Sequence, residues 1–254
     1  NDELRSFGVE MFGQEYQVFD AANGREGLEM ARQHMPDVIV CDVMMPEMNG
    51  LEVVRALKSN LETSHIPVIL ISARSASAQV LEGLEAGAVA YLVKPFDFTI
   101  LDAKIKIQLR AKEEARQQYR NVMLLEPDQP SPEDPDGKFV ETLRDLIVQN
   151  LSDTDFGVEQ IAFQMGVSVS GLYRKLKSLT GMTVNSFTKN LRMKRARQLL
   201  ETGYYNVNEV AAEVGFDDPQ YFSREYKKMF DESPSETRKV HLETQTKLHR
   251  NGIS

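Results

Sequence analysis

The amino-acid sequence predicts an open parallel α/β sheet wrapped by helices, followed by an all-helical unit. Three observations carry the prediction. Apolar strand-like runs alternate with helical patterns through the first half, as a parallel sheet with crossover helices requires. Two of those runs, "VIVC" and "VILI", are unbroken, which is how strands buried on both faces read. A segment dense in proline and acid, "EPDQPSPEDPDG", then separates this half from a stretch whose patterns are helical throughout. The length of 254 residues fits about two domains.

In chain order, "NDELRSF" reads as the start of a helix, with Asp2 and Glu3 as the acids favoured in a first turn. "YQVFDA" is expected as a strand, residues from about Gly24 to His34 as a helix, and "DVIVCD" as the next strand. A helix follows Gly50, "IPVILIS" is a strand, and a helix is expected around Ala78–Ala86. "AYLV" is the last strand, and a long helix runs from Phe98. The sheet unit is assigned residues 1–115, an extended linker 116–137, the helical unit 138–240, and a tail without periodicity 241–254.

The apolar fraction of 41% and charged fraction of 27% are those of an ordinary globular protein. No apolar run approaches the ~20 residues of a membrane span, so no direct membrane contact is expected. The single cysteine, Cys41, lies in an apolar run and reads as a buried thiol, which fits a reducing cytoplasm. The four histidines are scattered and make no metal-ligand spacing. Charge divides unevenly. Residues 1–136 hold 13 basic and 23 acidic side chains, a net −10, whereas residues 137–254 hold 17 and 15, a net +2. Eight basic residues and no acid fall between Gln160 and Leu200, a candidate footprint for a polyanion beside the blander reading of a solvated face.

Asp42, Ser72 and Lys94 each directly follow an apolar strand run. In an open parallel sheet, ligands gather at the carboxyl ends of the strands, so these three converge on one edge. Taken alone, Asp42 reads equally well as a strand-end cap. A carboxylate beside a cation and a hydroxyl has the parts needed to accept a phosphoryl group. Lys94 precedes Pro95, where a cis peptide would turn the ammonium toward Asp42. A phosphatase using Asp42 as nucleophile needs an acid/base carboxylate two residues on, where the chain has Met44. The side chains of Met44, Met45 and Met48 read as loop packing.

"DVMMPEMNG", "ILISA" and "GAVAYLVKPFD", in this order, resemble the receiver domain of bacterial response regulators, a flavodoxin-like α/β fold. The resemblance implies Asp42 as phosphoacceptor, Ser72 as switch hydroxyl, Lys94 as the phosphate-binding cation and Tyr91 as switch aromatic. It also implies Mg²⁺, held by Asp42 and the Met44 backbone carbonyl together with an acidic pair at the end of the first strand. That strand is expected just upstream of Asn1 and central in the sheet, so the chain as given lacks the acidic pair.

In the second half, "IAFQMGVSVSGLYRKLKSLTGMT" and "VAAEVGFDDPQYFSREYKKMFDESP" repeat one another. Ala162 aligns with Ala211, Gly166 with Gly215 and, after a one-residue slip, Arg174 with Arg224. A small residue where two helices meet, and a glycine in the turn, are what a helix-turn-helix needs. The stretch from Phe139 to about Val240 resembles the DNA-binding domain of AraC/XylS-type regulators, with two such units joined by the helix "VNSFTKNLRMKRARQLLETG". The resemblance implies that Ser170, Gly171, Tyr173 and Arg174, and in the second unit Pro219, Gln220, Ser223 and Arg224, face bases. Lys175, Lys177, Lys227 and Lys228 are then phosphate contacts or solvated. Helical spacing turns Leu172, Leu176, Phe222 and Phe230 into the core. Asp231 stands where the first unit has Gly181, so the second turn is expected to be less regular.

The two resemblances imply a non-enzymatic two-component transcription regulator. Its expected partners are a histidine kinase, in trans or in the same parent chain, double-stranded DNA and a second copy of itself. Its expected place is the cytoplasm, tethered to the inner membrane if the parent is a hybrid sensor. A constitutive DNA-binding protein that uses the receiver only for dimerisation is the alternative.

Overall fold

The computed structural model describes residues 2–73, 77–122, 134–153 and 156–239. The chain forms two compact units. One comprises residues up to Gln118 with Ser178–Thr180, the other Tyr119–Lys177 and the residues from Gly181 onward.

The first unit is built on a parallel sheet of β1 (Ile39–Asp42), β2 (Val68–Ser72) and β3 (Ala90–Val93), in the order β1-β2-β3. Ile39 pairs with Val68 and Asp42 with Ile71; Ile69 pairs with Ala90 and Ser72 with Val93. The central strand is buried along its whole length, which accounts for its unbroken apolar run. Alternate residues go to opposite faces. Val68 and Leu70 pack with Ala31, Val53, Val54 and Leu57 of α2 (Gly24–His34) and α3 (Gly50–Ser59). Ile69 and Ile71 pack with Phe12 of α1 (Asp2–Phe12) and with Leu101 and Ile105 of α5 (Phe98–Val122). The short α4 (Ser77–Glu85) lies against β3.

The "NG" of "DVMMPEMNG" is a helix start. Asn49 caps α3 in a reciprocal box with Glu52. A Cβ on Gly50 would run into the Asp42 carbonyl oxygen and stand 3.0 Å from the Val43 Cα, so glycine lets the helix close onto the end of β1.

Two expectations are corrected here. "YQVFDA" is not a strand: residues 17–21 have no strand assignment, and among the described residues β1 has only β2 as a neighbour. An apolar run becomes a strand only when another backbone satisfies its N–H and C=O groups. The linker assigned to 116–137 is also narrower, because α5 continues to Val122 and the next helix begins at Pro135. "AKEEARQQYR" consists mainly of strong helix formers, and Asp134 with Pro135 is a cap followed by proline in the first turn. The remaining linker, 123–133, and the tail assigned to 241–254 lie outside the described residues.

The second unit comprises α6 (Pro135–Gln149), α7 (Val158–Gln164), α8 (Val169–Thr180), α9 (Val184–Thr202), α10 (Val207–Glu213) and α11 (Pro219–Phe230). The long α9 packs on α6 and on α10 and so serves two helical clusters. Met193, Ala196, Leu199 and Leu200 of α9 close one of them with Val210, Ala211, Phe222 and Tyr226. Leu172, Leu176 and Phe222 are buried as expected, and Phe230 is partly buried against the same cluster.

Candidate functional site

At the carboxyl edge of the sheet, the Lys94 ammonium is ion-paired and hydrogen-bonded to Asp42 Oδ2. The other carboxylate oxygen, Oδ1, accepts from the Met44 backbone N–H at 3.0 Å. Strand register creates this meeting. Val43 N donates to the Ile71 carbonyl and Lys94 N to the Ser72 carbonyl, both at 2.8 Å, and the three strands end within one residue of one another. The Lys94–Pro95 peptide is cis. Side chains of Asp42 and Lys94 are 20% and 21% exposed, sheltered enough for the pair to be felt yet open to an incoming group. Ser72 is buried one residue beyond the Asp42–Ile71 pair, on the adjacent strand. Tyr91 is half-buried, its ring lying over Gly83 of α4. Next to Asp42, burial and then the carboxylate charge push the Cys41 thiol up to about 12, which makes it an inert core group.

The methionines divide. Met45 and Met48 pack on the core, whereas Met44 is 58% exposed and packs little. Asp2 and Glu3 fall in the first turn of α1. Receiver domains in general bind Mg²⁺ at their phosphorylation site. An octahedral Mg²⁺ calls for oxygen donors from all sides. Among the described residues no group of three or more His, Cys, Asp or Glu is placed to hold a metal. Asp42 and the Met44 carbonyl are the two donors identified, and the aspartate oxygens are engaged by Lys94 and Met44 N–H. That donor set does not fit the ion.

The helical unit repeats a bihelical element twice. In the first, α7 ends at Gly166 (φ +66°), and the Val167 N–H returns to the Ala162 carbonyl at 3.0 Å. In the second, α10 ends at Gly215 (φ +74°), and Phe216 N–H returns to the Ala211 carbonyl at 2.9 Å. Ala162 and Ala211 are both buried at the helix crossing. Ser168 caps α8 by accepting from Gly171 N–H, and Asp218 caps α11 by accepting from Gln220 N–H. Asp231 adopts φ 59°, the left-handed conformation that Gly181 takes at 74°, so the second turn is as regular as the first.

The candidate DNA-facing residues do not all reach a surface. Ser170, Gln220, Arg224 and Lys227 are exposed, with Tyr173, Arg174 and Pro219 half-buried. The Arg174 guanidinium stands 3.4 Å from the Ser170 hydroxyl on the same helix face. Ser223 is half-buried and its hydroxyl donates to the Pro219 carbonyl at 2.8 Å, a bond within its own helix. Gly171 is buried, which removes it from base contact. Lys175 is corrected too: at 1% exposure it pairs with Asp136 at 2.9 Å and lies 5.0 Å from the Phe139 ring centroid. Helical spacing places position 175 on the inward face, and the charge is neutralised there by another helix.

The acid-free basic run is likewise less of a polyanion surface than its composition implies. Lys189 pairs with Glu225 at 2.7 Å, Arg197 with Glu201 and Glu232, and Arg192 donates to the Gly215 carbonyl. Burial lowers Lys194 to about 8. Acids absent from the run are supplied by Glu201 at the end of the same helix and by Glu225 and Glu232 farther along the chain. Sequence reasoning also missed Tyr221, 44% exposed on the N-terminal half of α11, because periodicity counts an aromatic as core.

Comparison with known families agrees with this division. Residues 3–106 match the response regulator receiver domain family, and residues 161–240 match a helix-turn-helix domain family. The chain joins a response regulator receiver domain to an AraC-type helix-turn-helix domain. This receiver and helix-turn-helix pairing is typical of non-enzymatic regulators. Histidine kinase P4 of Formosa agariphila is 35% identical over 92% of the chain, which spans 17% of that protein. Transcriptional regulatory protein AfsQ1 of Streptomyces coelicolor is 43% identical over 39% of the chain and 43% of its own length. Among solved structures, the receiver domain of a histidine kinase from Syntrophus aciditrophicus is 32% identical, covering 43% of this chain and 83% of that one, with a TM-score of 0.40. The C-terminal domain of AraT, a response regulator from Geobacillus stearothermophilus, is 30% identical, covering 40% of this chain and 84% of that one, with a TM-score of 0.38. No helix among the described residues is long and apolar enough to cross a membrane.

Proposed function

We propose that this receiver and helix-turn-helix chain is the output segment of a two-component system, in which a phosphoryl group on Asp42 controls paired binding to double-stranded DNA. The observation that carries the reading is the Lys94 ammonium seated on the Asp42 carboxylate, in one chain with two bihelical elements whose second helices expose arginine or its neighbours. An Asp42 carboxylate oxygen attacks the phosphorus of a kinase phosphohistidine, the P–N bond breaks, and the imidazole leaves with a proton. Lys94 then balances the phosphoryl charge as a point cation. Ser72 and Tyr91 are the proposed switch residues.

Leu81 and Leu84 of α4 and Ile100 and Ile107 of α5 are exposed apolar side chains of the receiver unit, which supports self-association through this part of it. Pairing raises the effective concentration of the second DNA-binding unit. The likeness to a histidine kinase over 92% of this chain, which spans 17% of that protein, supports a place within a longer hybrid sensor, acting on the cytoplasmic side of the membrane. Ser170, Tyr173, Arg174, Gln220 and Arg224 are the proposed base-facing residues, with Lys177, Lys227 and Lys228 toward phosphates.

The test treats the chain and its Asp42→Ala variant with acetyl phosphate, follows phosphate-affinity gel mobility, and measures binding to a DNA site selected in vitro. Donor-dependent modification and tighter DNA binding in the wild type alone are expected. Equal DNA binding by both proteins with and without donor selects the constitutive reading.

A further inference from the structure

The two recognition helices are held in different ways. Helix α5 begins at Phe98 in the sheet unit and runs without a break to Val122, and from Tyr119 its residues belong to the helical unit. Tyr119 is 6% exposed, and its hydroxyl donates to Asp134 Oδ1 at 2.9 Å. Burial and then the bond to Asp134 raise the Tyr119 hydroxyl well above its ordinary pKa, so it remains a donor at every physiological pH.

The same Asp134 oxygen accepts from the N–H groups of Asp136 and Gly137, at 2.9 and 2.7 Å, and so caps α6. Asp136, in the turn so capped, faces the Lys175 ammonium in the middle of α8. Phe139 of the following turn covers that ammonium. A buried ion pair adds little stability over apolar side chains of the same size, but it fixes which groups must face one another. At the aligned position of α11 the chain has Glu225, which pairs with Lys189 of α9 in a partly exposed bridge.

We propose that Tyr119, Asp134, Asp136 and Lys175 form a positioning chain through which the last turn of α5 sets α8, the first recognition helix, and leaves α11 untouched. Displacement of α5 at Tyr119 shifts the capped turn of α6 and, through Asp136, slides or frees α8. Regulation of DNA binding then works on the first half of the DNA contact, while α11 supplies a constant contact. The functional part of this inference rests on the reading that α8 and α11 bind DNA; the mechanical part does not.

Hydrogen–deuterium exchange on the intact chain tests the mechanical part. Tyr119→Phe, which removes only the hydroxyl, should speed exchange about fivefold in α8 and in the first turn of α6, the effect of one lost hydrogen bond, with α10, α11 and β2 unchanged. The paired variant Asp136→Asn with Lys175→Met leaves no unbalanced buried charge, and in that background Tyr119→Phe should no longer alter α8. An unchanged α8, or an equal rise in α11, overturns the proposal.

A DNA arm separates positioning from a general loss of stability. On a selected site, Arg174→Ala should weaken binding less in the Tyr119→Phe background than in wild type, whereas Arg224→Ala should weaken it equally in both. Equal coupling to the two arginines also overturns the proposal. If neither arginine variant alters DNA binding in wild type, the DNA reading fails and the exchange result alone judges the positioning chain.

Discussion

Gly166 and Gly215 occupy the same position in the two bihelical elements, with φ of +66° and +74°, yet replacing each with alanine should have unequal consequences. A Cβ on Gly166 meets nothing within 4 Å, so Gly166→Ala carries only the left-handed conformational penalty, about 1 kcal/mol. A Cβ on Gly215 would drive into the Leu151 carbonyl oxygen and stand 2.9 Å from the Arg192 guanidinium. That guanidinium also donates to the Gly215 carbonyl at 3.1 Å, so it cannot withdraw without loss of the bond. Overpacking of this kind adds about 1–3 kcal/mol, which makes Gly215→Ala roughly 2–4 kcal/mol destabilising in all. Urea unfolding of the intact chain, followed by far-ultraviolet circular dichroism, should separate the helical-unit midpoints of the two variants by about 1 M for a difference of ~2 kcal/mol. Asparagine sharpens the test, because it tolerates the left-handed region but still carries a Cβ. Gly166→Asn should lie within a few tenths of a kcal/mol of wild type, about the cost of an asparagine at such a cap, whereas Gly215→Asn should be as damaging as alanine. Equal midpoints for the two alanine variants, or rescue of position 215 by asparagine, would refute the steric reasoning.

Asp231 holds φ 59° at the end of α11, so Asp231→Gly should stabilise the helical unit by about 0.5–1 kcal/mol, seen as a raised urea midpoint. Burial alone would raise the Asp37 carboxyl, but Lys112 and Arg116 of α5 bring it below the ordinary aspartate value. A depressed carboxyl stabilises the fold above its unfolded pKa, near 4, and that contribution vanishes as pH falls through the folded value. Asp37→Asn should therefore flatten the acid limb of receiver-unit stability below about pH 4 and cost roughly 1 kcal/mol or less at pH 7, since Asp37 is half exposed; an unchanged acid limb sinks the assignment. Arg174→Ala and Arg224→Ala should each weaken binding to a selected DNA site by about 1–3 kcal/mol and relax preference at one base position, which repeated site selection would reveal. Lys227→Ala and Lys228→Ala should instead lower affinity for all sequences and reduce its salt dependence.

Much of the receiver unit was legible because its signals are local. An unbroken "VILI" reads as a strand buried on both faces, and β2 is buried throughout. The Asp42, Ser72 and Lys94 alignment followed from each residue ending a strand, and parallel register did the rest. "YQVFDA" misled because a strand requires a neighbouring backbone, which no property of the run itself reports. In the helical unit the repeat and its glycines were legible from spacing. Lys175 was not: a lysine at an inward position reads as a surface charge until the carboxylate that covers it, 39 positions earlier, is known.

By itself the sequence determined the two-part architecture, the three strands that carry polar ends, and the doubled helical element, because periodicity, caps and turn residues act within a few positions. Only the tertiary structure decided which of eight neighbouring basic side chains face outward, and that two matching glycines differ in what surrounds them. It alone shows that a buried charge on α8, Lys175, is paired with Asp136 in the first turn of α6. Those outcomes depend on which distant groups the fold brings within 3 to 4 Å, the range over which packing and ion pairing act.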